Sequence, residues 1–230
     1  MLSGPEIMRL RGSGEIVIDP EPVTVNPNSV NLRLADKVMV YNKQLKFLEL
    51  MHSNYDVDGQ KRHLLYTNFL WSYAGSPHSG WTPPLSAWED TWCQGFVDQY
   101  ALDPRKPIDP AKDLTTYTIP TAGYVLLPGV LYLGSTIEVA GSTTKYAPRL
   151  EGRSTWARFG LSSHQTGGWG DVGFRRQWTL EITVTTPVIV RAGDEICQVA
   201  FDEVTGTEQQ YVGSYVDQAG PTPPAPLKAK

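Results

Sequence analysis

In the run Trp178-Thr-Leu-Glu-Ile-Thr-Val-Thr185, the large apolar side chains of Trp178, Leu180, Ile182 and Val184 alternate with Thr179, Glu181, Thr183 and Thr185. A period of 2 predicts a strand with Glu181 set among three threonines on one face. A mid-strand carboxylate is commonly solvent-facing, but one enclosed in a pocket has its pKa raised and can exchange protons near neutral pH. Upstream, Glu151-Gly-Arg-Ser-Thr-Trp-Ala-Arg158 places Ser154 and Arg158 four residues apart, on one face of any helix that begins near Ser154. Both can then converge on one small polar group. Backbone N–H groups at such a helix start, together with Arg153, are donors for phosphate oxygens. The plainer alternative makes Ser154 an N-cap and Arg158 a surface ion-pair partner. Between these motifs lies the glycine-rich His164-Gln-Thr-Gly-Gly-Trp-Gly-Asp-Val-Gly-Phe174, with Asp171 as its acid. Its backbone can approach a planar ligand closely, or it is a turn between strands.

Six basic residues (Lys145, Arg149, Arg153, Arg158, Arg175, Arg176) stand against Glu151 and Asp171 between Lys145 and Trp178, inside a chain whose net charge is -4. That contrast fits an anionic ligand or a solvated basic surface, and argues against wholesale capture of nucleic acid or of an anionic membrane. Cys93 and Cys197 are far apart in the sequence and neither belongs to a CxxC or Cys/His pair, so no structural zinc is expected. No stretch approaches the roughly 20 apolar residues of a membrane span, and the first residues lack a leader pattern. We expect a cytoplasmic protein with reduced thiols. His164 borders the proposed pocket and reads as a hydrogen-bonded loop residue; His52, His63 and His78 form no ligand set by spacing.

The elements that must position these groups are mostly strands, because Gly and Pro cut the 230 residues into short apolar runs. Strands are predicted over Glu15 to Ile18, Lys37 to Tyr41, Tyr124 to Leu127, Thr136 to Val139, Trp178 to Thr185, Val188 to Val190 and Ile196 to Phe201. Helices are predicted over Pro5 to Arg11, with Ser3 near its start, and over Ser154 to Phe159, closed by Gly160. Residues 42 to about 116 mix charges, prolines and Trp71, Trp81, Trp88 and Trp92. This texture predicts an insertion that packs as a lobe or against a neighbouring subunit. The plan is thus one domain over 1–219, interrupted at about 42–116, followed by a Pro-rich extended tail at 220–230.

The order EGRS-x-x-AR-x-GL, Asp-x-Gly-Phe, TLE and Ile-Cys-Gln-Val-Ala-Phe resembles the dCTP deaminase family of the trimeric dUTPase superfamily. Pro27-Asn-Ser-Val-Asn-Leu-Arg-Leu34 resembles the family's early PxSVDLRL strand, with Asn31 where Asp is usual. Tyr132-Leu-Gly-Ser-Thr-Ile-Glu138 and Tyr211-Val-Gly-Ser-Tyr-Val-Asp-Gln-Ala-Gly-Pro221 resemble its pre-motif hairpin and its C-terminal YxGKYxxQxGP segment.

The resemblance implies a distorted β-barrel or jelly-roll-like dUTPase-type subunit with few short helices. It implies a homotrimer with nucleotide sites between subunits and a C-terminal segment closing over them. It also implies zinc-independent chemistry, in keeping with the missing HxE…PCxxC signature. Carried over, Glu181 is the general base and proton shuttle, and Ser154 and Arg158 position the water and the tetrahedral centre. Arg153 and Thr155 hold phosphates, Thr166 and Gly167 line the base, Asp171 sits by the sugar, and Tyr211, Tyr215 and Gln218 belong to the closing segment. Magnesium is expected on the nucleotide phosphates rather than in a protein site, and dTTP is a candidate feedback ligand. Ser214 replaces a basic family residue, and Arg176 stands where glycine is common, a second route to that charge. The expected reaction is deamination of dCTP to dUTP. The alternatives are a bifunctional enzyme carrying dUTP on to dUMP and pyrophosphate, as Gly167-Gly168-Trp169 favours, a triphosphatase for a related or modified deoxynucleotide, or a non-catalytic nucleotide-binding protein on the same fold.

Overall fold

The structure is a computed structural model and describes residues 1–53, 99, 101–143, 145–207 and 209–227. The four tryptophans expected to pack within the insertion lie outside the described residues. The chain divides into two compact units, one of Met1–Val40 with Leu114–Ala225, the other of Tyr41–Asp113 with Pro226–Lys230. The second contains helix α2 (Asn42–Ser53) and the short helix α3 (Pro110–Asp113), joined by a bond from Asn42 Nδ2 to the Lys112 carbonyl at 2.7 Å.

The first unit opens with helix α1 (Gly4–Ser13). Ser3 is its N-cap, Pro5 lies in its first turn, and Gly14 ends it at φ 82°, a left-handed conformation that favours glycine. Ile7 and Leu10 form its buried side.

Strands β1 (Ile16–Asp19), β2 (Val30–Arg33), β3 (Lys37–Tyr41), β4 (Leu114–Thr118), β5 (Tyr124–Leu126), β6 (Tyr132–Ser142), β7 (Tyr146–Gly152), β8 (Leu161–Ser162), β9 (Arg175–Val184), β10 (Val188–Val190) and β11 (Glu195–Glu203) follow, with helix α4 (Ser154–Arg158) between β7 and β8. They make a six-stranded sheet β4-β3-β6-β9-β8 with β1 also on β6, a three-stranded sheet β2-β11-β7, and the pair β10-β5. The expected mainly β architecture is present. The expected barrel is corrected, because the described strands form separate sheets and do not close. Within the large sheet, the register of β6 on β9 shifts between Ser135 and Val139, an irregularity that bends a strand, and the other edge of β6 serves β3 at one end and β1 at the other.

Leu32, Leu34, Leu150, Leu180, Ile182, Ile196 and Phe201 are among the fully buried side chains at the centre of this unit. β7 escaped the sequence reading because Pro148 interrupts it. Gly170 donates its N–H to the Pro148 carbonyl at 2.8 Å and Leu150 donates to the Gly168 carbonyl at 2.7 Å, so the missing Pro148 N–H faces this short bridge and not the β11 ladder, where it would cost a bond.

Where β6 passes β9, a Cβ on Gly141 would lie 1.7 Å from the Phe174 carbonyl oxygen. Neither backbone can yield without opening the sheet, so Gly141→Ala is expected to cost about 3 kcal/mol, an overpacking penalty in the upper range. The midpoint of urea unfolding checks it, and a wild-type midpoint would refute the close approach.

Candidate active site

β9 carries the alternation expected of it. Trp178, Leu180, Ile182 and Val184 are buried while Thr179, Glu181 and Thr183 are half-buried on the other face. Burial pushes the Glu181 carboxyl above its ordinary value, and interactions with the backbone of Gln165 and of Glu181 itself, and with His164, pull the other way. Gln165 holds this place: its Nε2 donates to the Glu181 main-chain carbonyl at 3.3 Å and to Thr183 Oγ1 at 2.9 Å. His164 keeps a buried Nδ1 without a partner among the described residues. A half-buried carboxyl group is thereby set on β9 beside a loop.

Two glycines of that loop serve its packing on the protein. A Cβ on Gly168 would fall 2.3 Å from the Leu150 carbonyl and 3.0 Å from the His164 ring, and one on Gly170 would strike the Trp178 ring. These glycines permit packing of the loop on β7 and Trp178, whereas Thr166 and Gly167 are exposed at its tip. Asp171 is exposed and lines a groove of about 600 Å³ with Trp169, Tyr211 and Val212.

α4 begins at Ser154, so Ser154 and Arg158 do share a helix. Arg153 is its N-cap residue and supplies no side-chain cap. Ser154, Thr155 and Arg158 are exposed. Among the described residues no hydrogen bond or ion pair joins Ser154 or Arg158 to Glu181. Arg153 is anchored to the first residue of β11: its Nη1 donates to the Glu195 carbonyl at 2.5 Å and lies 3.4 Å from Glu195 Oε2.

The C-terminal segment lies along β9 of its own chain. Gln218 Nε2 donates to the Gln177 carbonyl at 2.6 Å, the Gly220 N–H to Gln177 Oε1 at 2.8 Å, and the Thr222 N–H to Thr179 Oγ1 at 3.2 Å. Thr179 and Glu181 share a face, so the segment reaches the neighbourhood of the carboxylate. Tyr211 and Tyr215 brace the segment itself, their hydroxyl oxygens accepting from the N–H groups of Tyr215 and Ala225, and Tyr211 packs edge-on against Phe174. Arg176 Nη2 stands 3.8 Å from Asp217 of this segment.

Gln177 went unnoticed in the sequence, although the period of 2 carried one step upstream from Thr179 reaches it. Gln165 and Glu195 gave no such signal, since pairing across distant segments places them.

A family model described as dCTP deaminase-like matches residues 95–204. The chain is 33% identical over 225 residues to "dCTP deaminase, dUMP-forming" of Leptospira biflexa, covering 97% of this chain and 94% of that one. It is 32% identical, with the same coverage, to the protein of that name from Clostridium acetobutylicum. The chain belongs to the dCTP deaminase family. Membership makes it an enzyme, a hydrolase of nucleotide metabolism. A solved 2'-deoxycytidine 5'-triphosphate deaminase of Agrobacterium tumefaciens superposes with a TM-score of 0.50 at 16% identity, over 87% of this chain and 46% of that one; the chain thus spans under half of that protein, and the likeness concerns the fold. Among the described residues no helix is long and apolar enough to cross a membrane.

Proposed function

We propose that the protein deaminates dCTP and carries the product on to dUMP and pyrophosphate. Glu181 carries the reading, a carboxylate half-buried on the polar face of β9 with its pKa raised. The relatives' printed product, dUMP, moves the second step ahead of release of dUTP, the reaction placed first on the sequence alone. Gly167-Gly168-Trp169 supports the same choice.

In this mechanism Glu181 takes a proton from water as its oxygen bonds to C4 of cytosine, and delivers that proton to N3. It then removes the proton of the new hydroxyl and passes it to the departing amine, so that C4=O forms and ammonia leaves. The base is unchanged over the cycle. Ser154 and Arg158 hold the water and the adduct oxygen without recourse to zinc, as preorganised donors. Arg153 and Thr155 bind phosphates of a nucleotide that arrives with magnesium on its own oxygens, Thr166 and Gly167 meet the base, and Tyr211, Tyr215 and Gln218 shape the closing segment. Asp171 lies by the sugar and orients a second water toward the α-phosphorus, whose bond to the bridging oxygen breaks to release pyrophosphate. Exposure of Ser154 and Arg158 supports assembly as a homotrimer, in which a neighbour's strand face completes each site. dTTP is the proposed feedback ligand, the cytoplasm the proposed location, and 42–116 an insertion in this domain plan.

Incubation of the purified protein with dCTP and magnesium, with ammonia and nucleotides followed together, tests the proposal. Ammonia with dUMP is the expected result; dUTP as the end product would refute the second step, and intact dCTP the first. Ser154→Ala and Arg158→Ala are each expected to lower turnover about 10²–10³-fold, as loss of one preorganised donor does. Wild-type turnover in either would remove that residue from the mechanism.

The raised pKa of Glu181 also sets a sign. A general base works ionised, so the rate falls as pH drops through its pKa. The acid limb of kcat/KM is expected above the ordinary glutamate value of about 4.3, and a limb at or below it would contradict the enclosed carboxylate.

A further inference from the structure

We propose that Glu195 is a positioning residue for Arg153, and that Asn31 is what allows a carboxylate to stand there. The inference deepens the reading of Arg153 as a phosphate-binding group and rests on it.

Glu195 touches α4 twice through its backbone and once through its side chain. Its carbonyl accepts from Arg153 Nη1 at 2.5 Å and from Trp156 Nε1 at 2.8 Å, which ties the start and the middle of α4 to the first residue of β11. Its Oε2 lies 3.4 Å from the same Nη1. One corner of the guanidinium is clamped, while Nε and Nη2 keep no partner among the described residues. A planar fork held at one corner presents its remaining donors in a set direction.

Behind Glu195, Asn31 Nδ2 donates to Oε2 at 3.0 Å, and Asn31 Oδ1 accepts from Asn26 Nδ2 at 2.8 Å. Asn31 is buried, so its amide is committed to these two bonds. The other carboxylate oxygen, Oε1, is shielded without a donor. A half-satisfied carboxylate is a poor device for stability, so its presence calls for the role it has toward Arg153. An aspartate at 31, the residue usual in the related strand motif, would lose the donor and set two carboxylates side by side. Asn31 and Glu195 are therefore a matched pair of one amide and one charge.

The test is calorimetric binding of magnesium-dCTP and of deoxycytidine to the full chain, with turnover measured alongside. Glu195→Ala is expected to raise the Kd for dCTP roughly tenfold, to leave kcat within about twofold, and to leave deoxycytidine binding unchanged, since the effect passes through a phosphate contact. Asn31→Asp is expected to weaken dCTP similarly. Glu195→Gln keeps the length of the side chain but not the charge beside Arg153, and is expected to weaken dCTP as Glu195→Ala does. A merely structural role would not give that dependence on charge or on phosphate. Unchanged dCTP affinity in Glu195→Ala, equal losses for dCTP and deoxycytidine, or wild-type dCTP affinity in Glu195→Gln overturns the proposal. Arg153→Ala separates the two levels. If it binds dCTP as wild type does, the phosphate reading of Arg153 is wrong and this inference falls with it; if it weakens dCTP while Glu195→Ala does not, Glu195 alone is excluded. Absence of ammonia from the wild type refutes the deaminase reading, and the binding measurements still decide Glu195.

Discussion

Glu181→Gln is expected to lower ammonia release from dCTP by about 10²–10⁴-fold, the usual contribution of a positioned acid–base group, while dCTP still binds. The substitution preserves the volume of the side chain and the face of β9 that holds it, and Gln165 bonds to the main-chain carbonyl of residue 181 and to Thr183, which the change leaves in place. What disappears is a group able to accept the proton of water and return it to N3 and then to the leaving amine. An amide can do neither at neutral pH. Single-turnover ammonia release beside calorimetric dCTP affinity separates the two effects. Turnover within a few-fold of wild type would remove Glu181 from the chemistry, and loss of binding together with turnover would place it in recognition instead.

Breaking the buried ion pair of Glu138 and Arg33 has the largest expected effect on stability. Glu138 has no exposed side-chain surface, its Oε1 accepts from Arg33 Nε at 2.6 Å and its Oε2 from the Arg33 backbone N–H at 2.8 Å. The pair joins β6 of the large sheet to β2 of the three-stranded one. Glu138→Ala leaves the guanidinium and a backbone donor short of partners, and removal of one member of a buried pair costs about 3–5 kcal/mol. Arg33 retains some contact with water, which places the expectation near the lower end, about 3 kcal/mol. Urea unfolding of the wild type and the variant checks it. A variant within about 0.5 kcal/mol of wild type, the range of ordinary surface changes, would show that the pair contributes little beyond its own desolvation. Cys197 in the same region asks for no such partner: burial pushes its thiol well up, so it stays neutral within the core.

Strand β9 was legible in the residues because its two faces differ in chemistry at every step, and the pattern that buries Leu180 and Ile182 also sets Glu181 on the opposite side. The start of α1 was legible too, since Ser3 caps it and Pro5 lies in its first turn, whereas its end at Ser13 and Gly14 lies beyond the predicted Arg11. The catalytic candidates were legible as local motifs: Ser154 and Arg158 by their spacing of four, and Asp171 by its place in a glycine-rich run. β7 was hidden by Pro148, whose missing donor is harmless only because of the side of the strand on which it falls. The arrangement of sheets was hidden as well, since it depends on which strands pair across long sequence separations, as β6 does with β3, β1 and β9.

The residue types and their spacing therefore determined the strand chemistry, the placement of the Glu181 carboxylate on its polar face and the family pattern, all of which are properties of neighbours along the chain. Tertiary structure alone decided that Arg153 turns to Glu195, 42 positions away, that Gln218 and Gly220 lie against Gln177, and that the loop glycines serve packing on Leu150 and Trp178. Each of these depends on strands paired across long sequence separations. Such pairings fix which side chains meet only after hydrophobic burial and backbone hydrogen bonding have chosen the sheet register.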